Sequence, residues 1–253
     1  MVQLLHNREM RTCSRSSLGR VLGVVLFVGM GGCGPDAALV PVVGETDGVG
    51  TRPAVSLAAS GGSERGPLLV VLGDSLTAGL GLEGDQAYPA LLQERFHRDG
   101  YDLTVVNAGV SGDTTAAGLR RAEWSLAGDV RILIVALGGN DGLRGLPVEQ
   151  MKQNLTEIIA LAKDRGILVL LAGMEAPPNY GAAYTSAFRR VFRDVADKFE
   201  VAFMPFLLDG VAAVPTLNQP DGIHPTAEGS AIVADRVYEA LAPLRVGLLP
   251  TVR

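Results

Sequence analysis

From Leu68 onward the chain alternates short apolar runs with segments of helical period, and that alternation leaves few architectures open. The runs are Leu68 to Leu72, Leu103 to Val106, Ile132 to Leu137, Ile167 to Leu171 and Val201 to Phe206. Each is nearly continuous in apolar residues, the pattern of strands covered on both faces. Between them, Met151, Leu155, Ile158, Ile159 and Ala162 share one helical face, with Gly166 as the stop. Tyr184, Phe188, Val191, Phe192, Val195 and Phe199 form a second such face, and Val233, Val237, Ala240 and Leu241 a third. Strands alternating with amphipathic helices predict an α/β domain with a parallel sheet. Right-handed crossovers put helices on both faces, giving a three-layer αβα sandwich.

The N-terminal part of the chain reads differently. Residues 1–33 hold four Arg and one acid, followed by the apolar run Val21 to Met30 and then Gly31-Gly32-Cys33. A basic segment, a short apolar stretch and small residues form the anatomy of an export signal. The ten-residue run falls short of the roughly 20 residues that a membrane-spanning helix needs. Small residues before Cys33 make the segment resemble a bacterial lipoprotein signal, with Cys33 acylated, although Met30 stands where such signals usually carry Leu. The expectation is therefore an exported envelope protein facing the periplasm, held to a membrane by an N-terminal lipid anchor. The alternative is an ordinary cleaved signal. Residues 34–66, rich in Gly, Ala, Val, Pro and Ser, read as a flexible tether, residues 67–246 as the folded domain and 247–253 as a tail. Cys13 leaves with the signal, so the two cysteines form no intramolecular disulfide. Lys and Arg number 22 against 27 Asp and Glu, a net charge of −5, which argues against a nucleic-acid surface. Without residues 1–33 the balance is 18 to 26, a net charge of −8. The chain is expected to act as a monomer.

In open parallel sheets, ligands bind beyond the carboxyl ends of the strands. Gly73-Asp74-Ser75-Leu76 follows the first run, and Asn107 to Asp113 the second. Gly138-Gly139-Asn140-Asp141 follows the third, and Asp221-Gly222-Ile223-His224-Pro225 comes after the fifth. Of three histidines, His6 lies in the signal and His97 reads as a solvated helix residue, which leaves His224 as the candidate base. Asp221, three residues earlier, is placed so that one tight turn brings its carboxylate to the ring. An acid that holds an imidazole is the second half of a nucleophile–base–acid triad, and Ser75, at a strand-to-helix junction, is a candidate for the first half. Ser75 read alone is a plain N-cap, and Ser111 competes with it but sits inside a Gly-rich turn. No Gly-x-Ser-x-Gly elbow surrounds Ser75, which argues against the α/β-hydrolase family. Candidate oxyanion donors are the backbone N–H groups of Ser75 and Gly112 and the side-chain amide of Asn140. The rival reading of Asn140 is a turn residue.

Taken together, Gly73-Asp74-Ser75-Leu76, Gly112, Asn140 and Asp221-x-x-His224 resemble the four blocks of the SGNH (GDSL) hydrolase superfamily. Within it the chain is similar to bacterial thioesterases with lysophospholipase and arylesterase activity. The resemblance spans roughly residues 67–246. It implies Ser75 as nucleophile, His224 as base, Asp221 as orienting acid, and Gly112 and Asn140 completing the oxyanion hole. It also implies a flavodoxin-like sheet of order 2-1-3-4-5, an ester or thioester substrate of small-molecule or lipid type, and no metal or organic cofactor. Loops after the third and fourth strands should line the acyl pocket, which predicts Leu143, Arg144, Leu146, Met174 and Tyr180 there. Two other readings compete. One is a metal-dependent phosphoesterase built from Asp74, Asp113, Asp141, Asp221 and His224. The other is a non-catalytic envelope lipoprotein that binds acyl groups or glycans in the same cleft.

Overall fold

The computed structural model describes residues 66–246. The expected signal with Cys33, the tether up to residue 65 and the tail at 247–253 lie outside the described residues. Five strands appear in chain order: β1 (Leu68–Gly73), β2 (Thr104–Gly109), β3 (Val130–Ala136), β4 (Leu168–Ala172) and β5 (Ala202–Met204). Eight helices intervene among the described residues: α1 (Ser75–Ala78), α2 (Tyr88–Arg98), α3 (Thr115–Ser125), α4 (Gly139–Leu143), α5 (Val148–Asp164), α6 (Gly181–Phe199), α7 (Ala227–Ala240) and α8 (Ala242–Arg245). The strands form one sheet of order β2-β1-β3-β4-β5, and every pairing is parallel.

Consecutive residues of a strand point to opposite faces, so a strand buried at every position is covered on both sides. Leu69 to Leu72 in β1 and Ile132 to Val135 in β3 are all buried, which is why these runs carry no polar alternation. α2 packs on α7, and α5 lies between α3 and α6, giving the three expected layers. The α5 face is the one expected, with Met151, Leu155, Ile158, Ile159 and Ala162 all buried. Past its end Gly166 takes the left-handed conformation (φ 70°) that a helix stop of this kind uses.

Two strands depart from the expected outlines. β2 is the sheet edge, only partly buried, and it continues to Gly109 through Asn107 because each residue still pairs with β1. β5 stops at Met204, short of Phe206, because Pro205 has no N–H for the ladder. His97 is exposed on α2, as read. Strand order reverses at β1, whose neighbours are β2 and β3, and a crevice opens above that switch point.

Candidate active site

The turn out of β1 is tight. A Cβ at Gly73 would overlap the Thr77 side chain, so only glycine lets the chain swing directly from strand into α1. Asp74 caps that short helix, its Oδ1 accepting the Leu76 N–H at 3.1 Å. Ser75, the first residue of α1, is thereby held at the mouth of the crevice, half-buried.

Opposite it stands the loop between β5 and α7. Asn218 and Pro225 form an isolated antiparallel bridge, and the Gln219 N–H donates to the His224 carbonyl at 2.7 Å. The Gln219 side-chain amide donates to the carbonyls of Leu80 (2.7 Å) and Pro225 (2.9 Å), tying the loop to the segment after α1. Within this hairpin, Asp221 Oδ1 accepts the N–H groups of Ile223 (2.9 Å) and His224 (3.0 Å). Its Oδ2 lies 2.6 Å from His224 Nδ1, and His224 Nε2 lies 2.8 Å from Ser75 Oγ. These donors, the His224 and Ile223 N–H groups foremost, pull the Asp221 pKa down to about 2. A carboxylate only accepts, so Nδ1 carries the imidazole proton and Nε2 is left to accept the Ser75 hydroxyl. The three side chains thus stand in the order hydroxyl, imidazole, carboxylate.

Asp74 is the other carboxylate beside the serine. It is 2 % exposed, and its Oδ2 accepts from Asn140 Nδ2 at 3.3 Å. Burial raises its pKa to about 6, against the opposing pull of the Leu76 and Asn140 hydrogen bonds and the nearby His224. Asn140 sits in the first turn of α4, whose entry Gly138 makes at φ 116°. The segment read from the sequence as turn chemistry is therefore a short helix. Gly112 lies in an exposed turn with φ 85°, and its carbonyl accepts from Arg144 at 3.0 Å.

A cavity of about 520 Å³ opens beside Ser75, Asn140 and His224. Its apolar wall includes Leu143, Met174, Phe206, Leu208, Ala212 and Ile223. Leu143 and Met174 were expected there. Arg144, Leu146 and Tyr180 are not part of the wall, which corrects the expected pocket. Arg144 turns to the Gly112 carbonyl, Leu146 is half-buried with its carbonyl accepting from Tyr184 (2.9 Å), and the Tyr180 hydroxyl donates to the Leu143 carbonyl at 3.0 Å. Gly112 is also outside the wall. The sequence reading missed Phe206, Leu208, Ala212 and Ile223 as wall residues, and it missed the burial of Asp74. An Asp directly after a buried strand and before a helix start is an N-cap signal, and that signal could have placed it.

The acids of the metal reading are committed elsewhere. Asp113 pairs with Arg121 at 2.6 Å. Arg121 in turn donates to the carbonyls of Ala108 and Gly73, fastening the ends of β2 and β1. Asp141 accepts from the Thr115 N–H (2.8 Å) and hydroxyl (2.6 Å) in a buried network with Asn154. Among the described residues no group of three His, Cys, Asp or Glu is arranged to hold a metal ion.

A parallel sheet with a serine, an imidazole and a carboxylate in hydrogen-bond sequence above its switch point defines an acylhydrolase, the class of enzyme that cleaves carboxylic esters and thioesters. The model of the GDSL-like lipase/acylhydrolase family matches residues 71–232, and the chain belongs to that family. It is 46% identical over 177 residues to esterase TesA of Pseudomonas aeruginosa, covering 70% of this chain and 88% of the relative. To thioesterase 1/protease 1/lysophospholipase L1 of Escherichia coli it is 38% identical over 177 residues, 70% of this chain and 84% of the relative. The crystal structure of TesA superposes with a TM-score of 0.68 at 45% identity, over 70% of this chain and 99% of that one.

Proposed function

We propose that the chain is a serine esterase that hydrolyses carboxylic esters or thioesters through an acyl-Ser75 intermediate. The observation that carries this reading is the continuous relay from Asp221 Oδ2 through His224 to Ser75 Oγ, with steps of 2.6 and 2.8 Å, opening onto an apolar cavity. Neutral His224 takes the Ser75 proton on Nε2 as Oγ attacks the carbonyl carbon. The resulting oxyanion receives the N–H groups of Ser75 and Gly112 and the Asn140 amide. Asn140 keeps one hydrogen on Asp74 and turns the other to the oxyanion. The imidazolium, steadied by Asp221, protonates the leaving alcohol or thiol. Water then enters and gives a proton to His224 as its oxygen attacks the acyl carbon, and the imidazolium returns that proton to Ser75 Oγ as the acid leaves.

The names of the relatives, an arylesterase and a lysophospholipase among them, support aryl esters, lysophospholipids and acyl thioesters as substrate classes. The domain acts at the cell envelope, as a monomer, exported and held by a lipid on Cys33. The basic segment, the apolar run and the small residues before that cysteine support this. The test is hydrolysis of p-nitrophenyl esters from C2 to C16 by the full chain beside Ser75→Ala. Turnover lost in the variant, with Ser75 labelled by an organophosphonate, is the expected result. Absence of turnover at every length from folded protein would favour the non-catalytic binding lipoprotein.

A further inference from the structure

Nine large hydrophobic side chains are exposed among the described residues, and they are not scattered. Six of them, Leu80, Val110, Leu143, Tyr180, Val214 and Ile223, lie on segments that leave the carboxyl ends of the strands. Leu80 follows α1, Val110 directly follows β2, and Leu143 ends α4 after β3. Tyr180 follows β4, and Val214 and Ile223 follow β5. Hydrogen bonds lace these segments together, from Gln219 to the Leu80 carbonyl, from Tyr180 to the Leu143 carbonyl and from Arg144 to the Gly112 carbonyl. Leu143 and Ile223 are also walls of the cavity, so this strand-end set, a collar in outline, reaches the cavity through them. The remaining three are elsewhere: Leu168 opens β4, Trp124 is near the end of α3, and Val246 follows α8.

Single exposed apolar residues are ordinary, whereas a contiguous set marks a surface that something covers. Charge narrows the choice of partner. The exposed charges of the strand-end segments are one Arg, Arg144, against Glu83, Asp85, Glu175, Asp209 and Asp221, while Asp74 and Asp141 are buried and Asp113 pairs with Arg121. Such a rim repels anionic lipid headgroups and nucleic acid. A protein seated on the collar would close the cavity mouth, whereas a lipid surface supplies what the cavity takes.

We propose that the collar is an interfacial docking surface that seats the mouth of the cavity on a neutral or zwitterionic lipid surface, so that an acyl chain passes from the lipid phase into the cavity along continuous apolar contact. This rests on the acyl-ester reading above. The test compares the full chain on two substrates, a soluble short ester (p-nitrophenyl butyrate) and a long-chain lysophosphatidylcholine followed across its critical micelle concentration. Wild-type turnover of the lysolipid should climb steeply once micelles form. The double variant Val110→Ser/Val214→Ser should lose about tenfold on micelles and stay within about twofold on the soluble ester. Trp124→Ser, on the opposite end of the sheet, should change neither. Equal micellar turnover in the double variant and the wild type, or an equal loss in Trp124→Ser, overturns the collar while leaving the esterase reading in place. No turnover of the soluble ester by the wild type overturns the esterase reading, and the collar falls with it.

Discussion

Asp74 and Asp221 approach the same serine from opposite sides, one through the adjacent backbone and the other through His224, and their surroundings could hardly differ more. Asp74 is 2 % exposed and accepts from Leu76 and Asn140. The Asp221 side chain is 45% exposed and accepts from Ile223, from the His224 backbone and from the His224 ring. Burial carries the first acid up to about 6, and donated hydrogen bonds carry the second down to about 2. The water-facing carboxylate is therefore the one that keeps its charge at every pH where an imidazole is neutral, as an orienting acid requires. The buried one holds its charge weakly, next to the place where the proposed mechanism creates a second negative charge.

The contrast can be broken at four points. Ser75→Ala removes the group that both acids serve and should cost at least about a thousandfold in kcat, read on the optimal p-nitrophenyl ester. Asp221→Asn keeps an acceptor for the backbone donors but lets His224 adopt the wrong tautomer. A kcat loss of about a hundred- to ten-thousandfold should follow, and a smaller one would show that the ring is held by its backbone alone. Asn140→Ala strips the donor that Asp74 holds and the proposed mechanism shares with the oxyanion, with an expected kcat loss of about a hundredfold and little change in KM. The smallest effect on rate, and the sharpest on pH dependence, belongs to Asp74→Asn. A folded-state pKa of about 6, above the unfolded value near 3.9, means that the folded chain binds the proton more tightly. Stability then falls as pH rises through that window, and the deficit is complete above about 6, on the order of 3 kcal/mol. Urea unfolding at pH 4.5 and 7.5 should show that slope in the wild type and a flatter one in the variant. Equal slopes would return Asp74 to an ordinary carboxylate.

Asp221 enters stability with the opposite sign. Its lowered pKa adds to stability above the unfolded value, and that contribution fades as pH falls toward about 2.

The layers of this fold were legible because Leu69 to Leu72, Ile132 to Val135 and Val169 to Leu171 announce two-sided burial in successive residues, and α5 and α6 announce one-sided burial in their spacing. What stayed hidden depended on partners. Asn107 and Gly109 are poor strand formers, yet pairing with Val71 and Gly73 keeps them in β2. Gly139-Asn140-Asp141 looks like a turn until the buried Asp141 side chain is seen fixed to Thr115 at the start of α3. Ser75, Asp221 and His224 could be picked out because their chemistry belongs to the residue itself. Phe206, Leu208 and Ala212 could not, since an apolar residue that lines a cavity is spelled like one that fills a core. Arg144 misled for a related reason. Its loop after β3 suggests a pocket wall, but here the Gly112 carbonyl 32 positions away takes the side chain.

The Ser75–His224 contact joins positions 149 residues apart, and all the other strands of the sheet lie between them. On the ribosome the proposed nucleophile therefore emerges early and its proposed base late. A chain severed after β5 would carry Ser75, Gly112 and Asn140 with nothing to take the proton. Ester turnover consequently reports completion of the fold. In a refolding experiment its first appearance times the closing of the last loop, whereas helical circular dichroism times the sheet and helices beneath it.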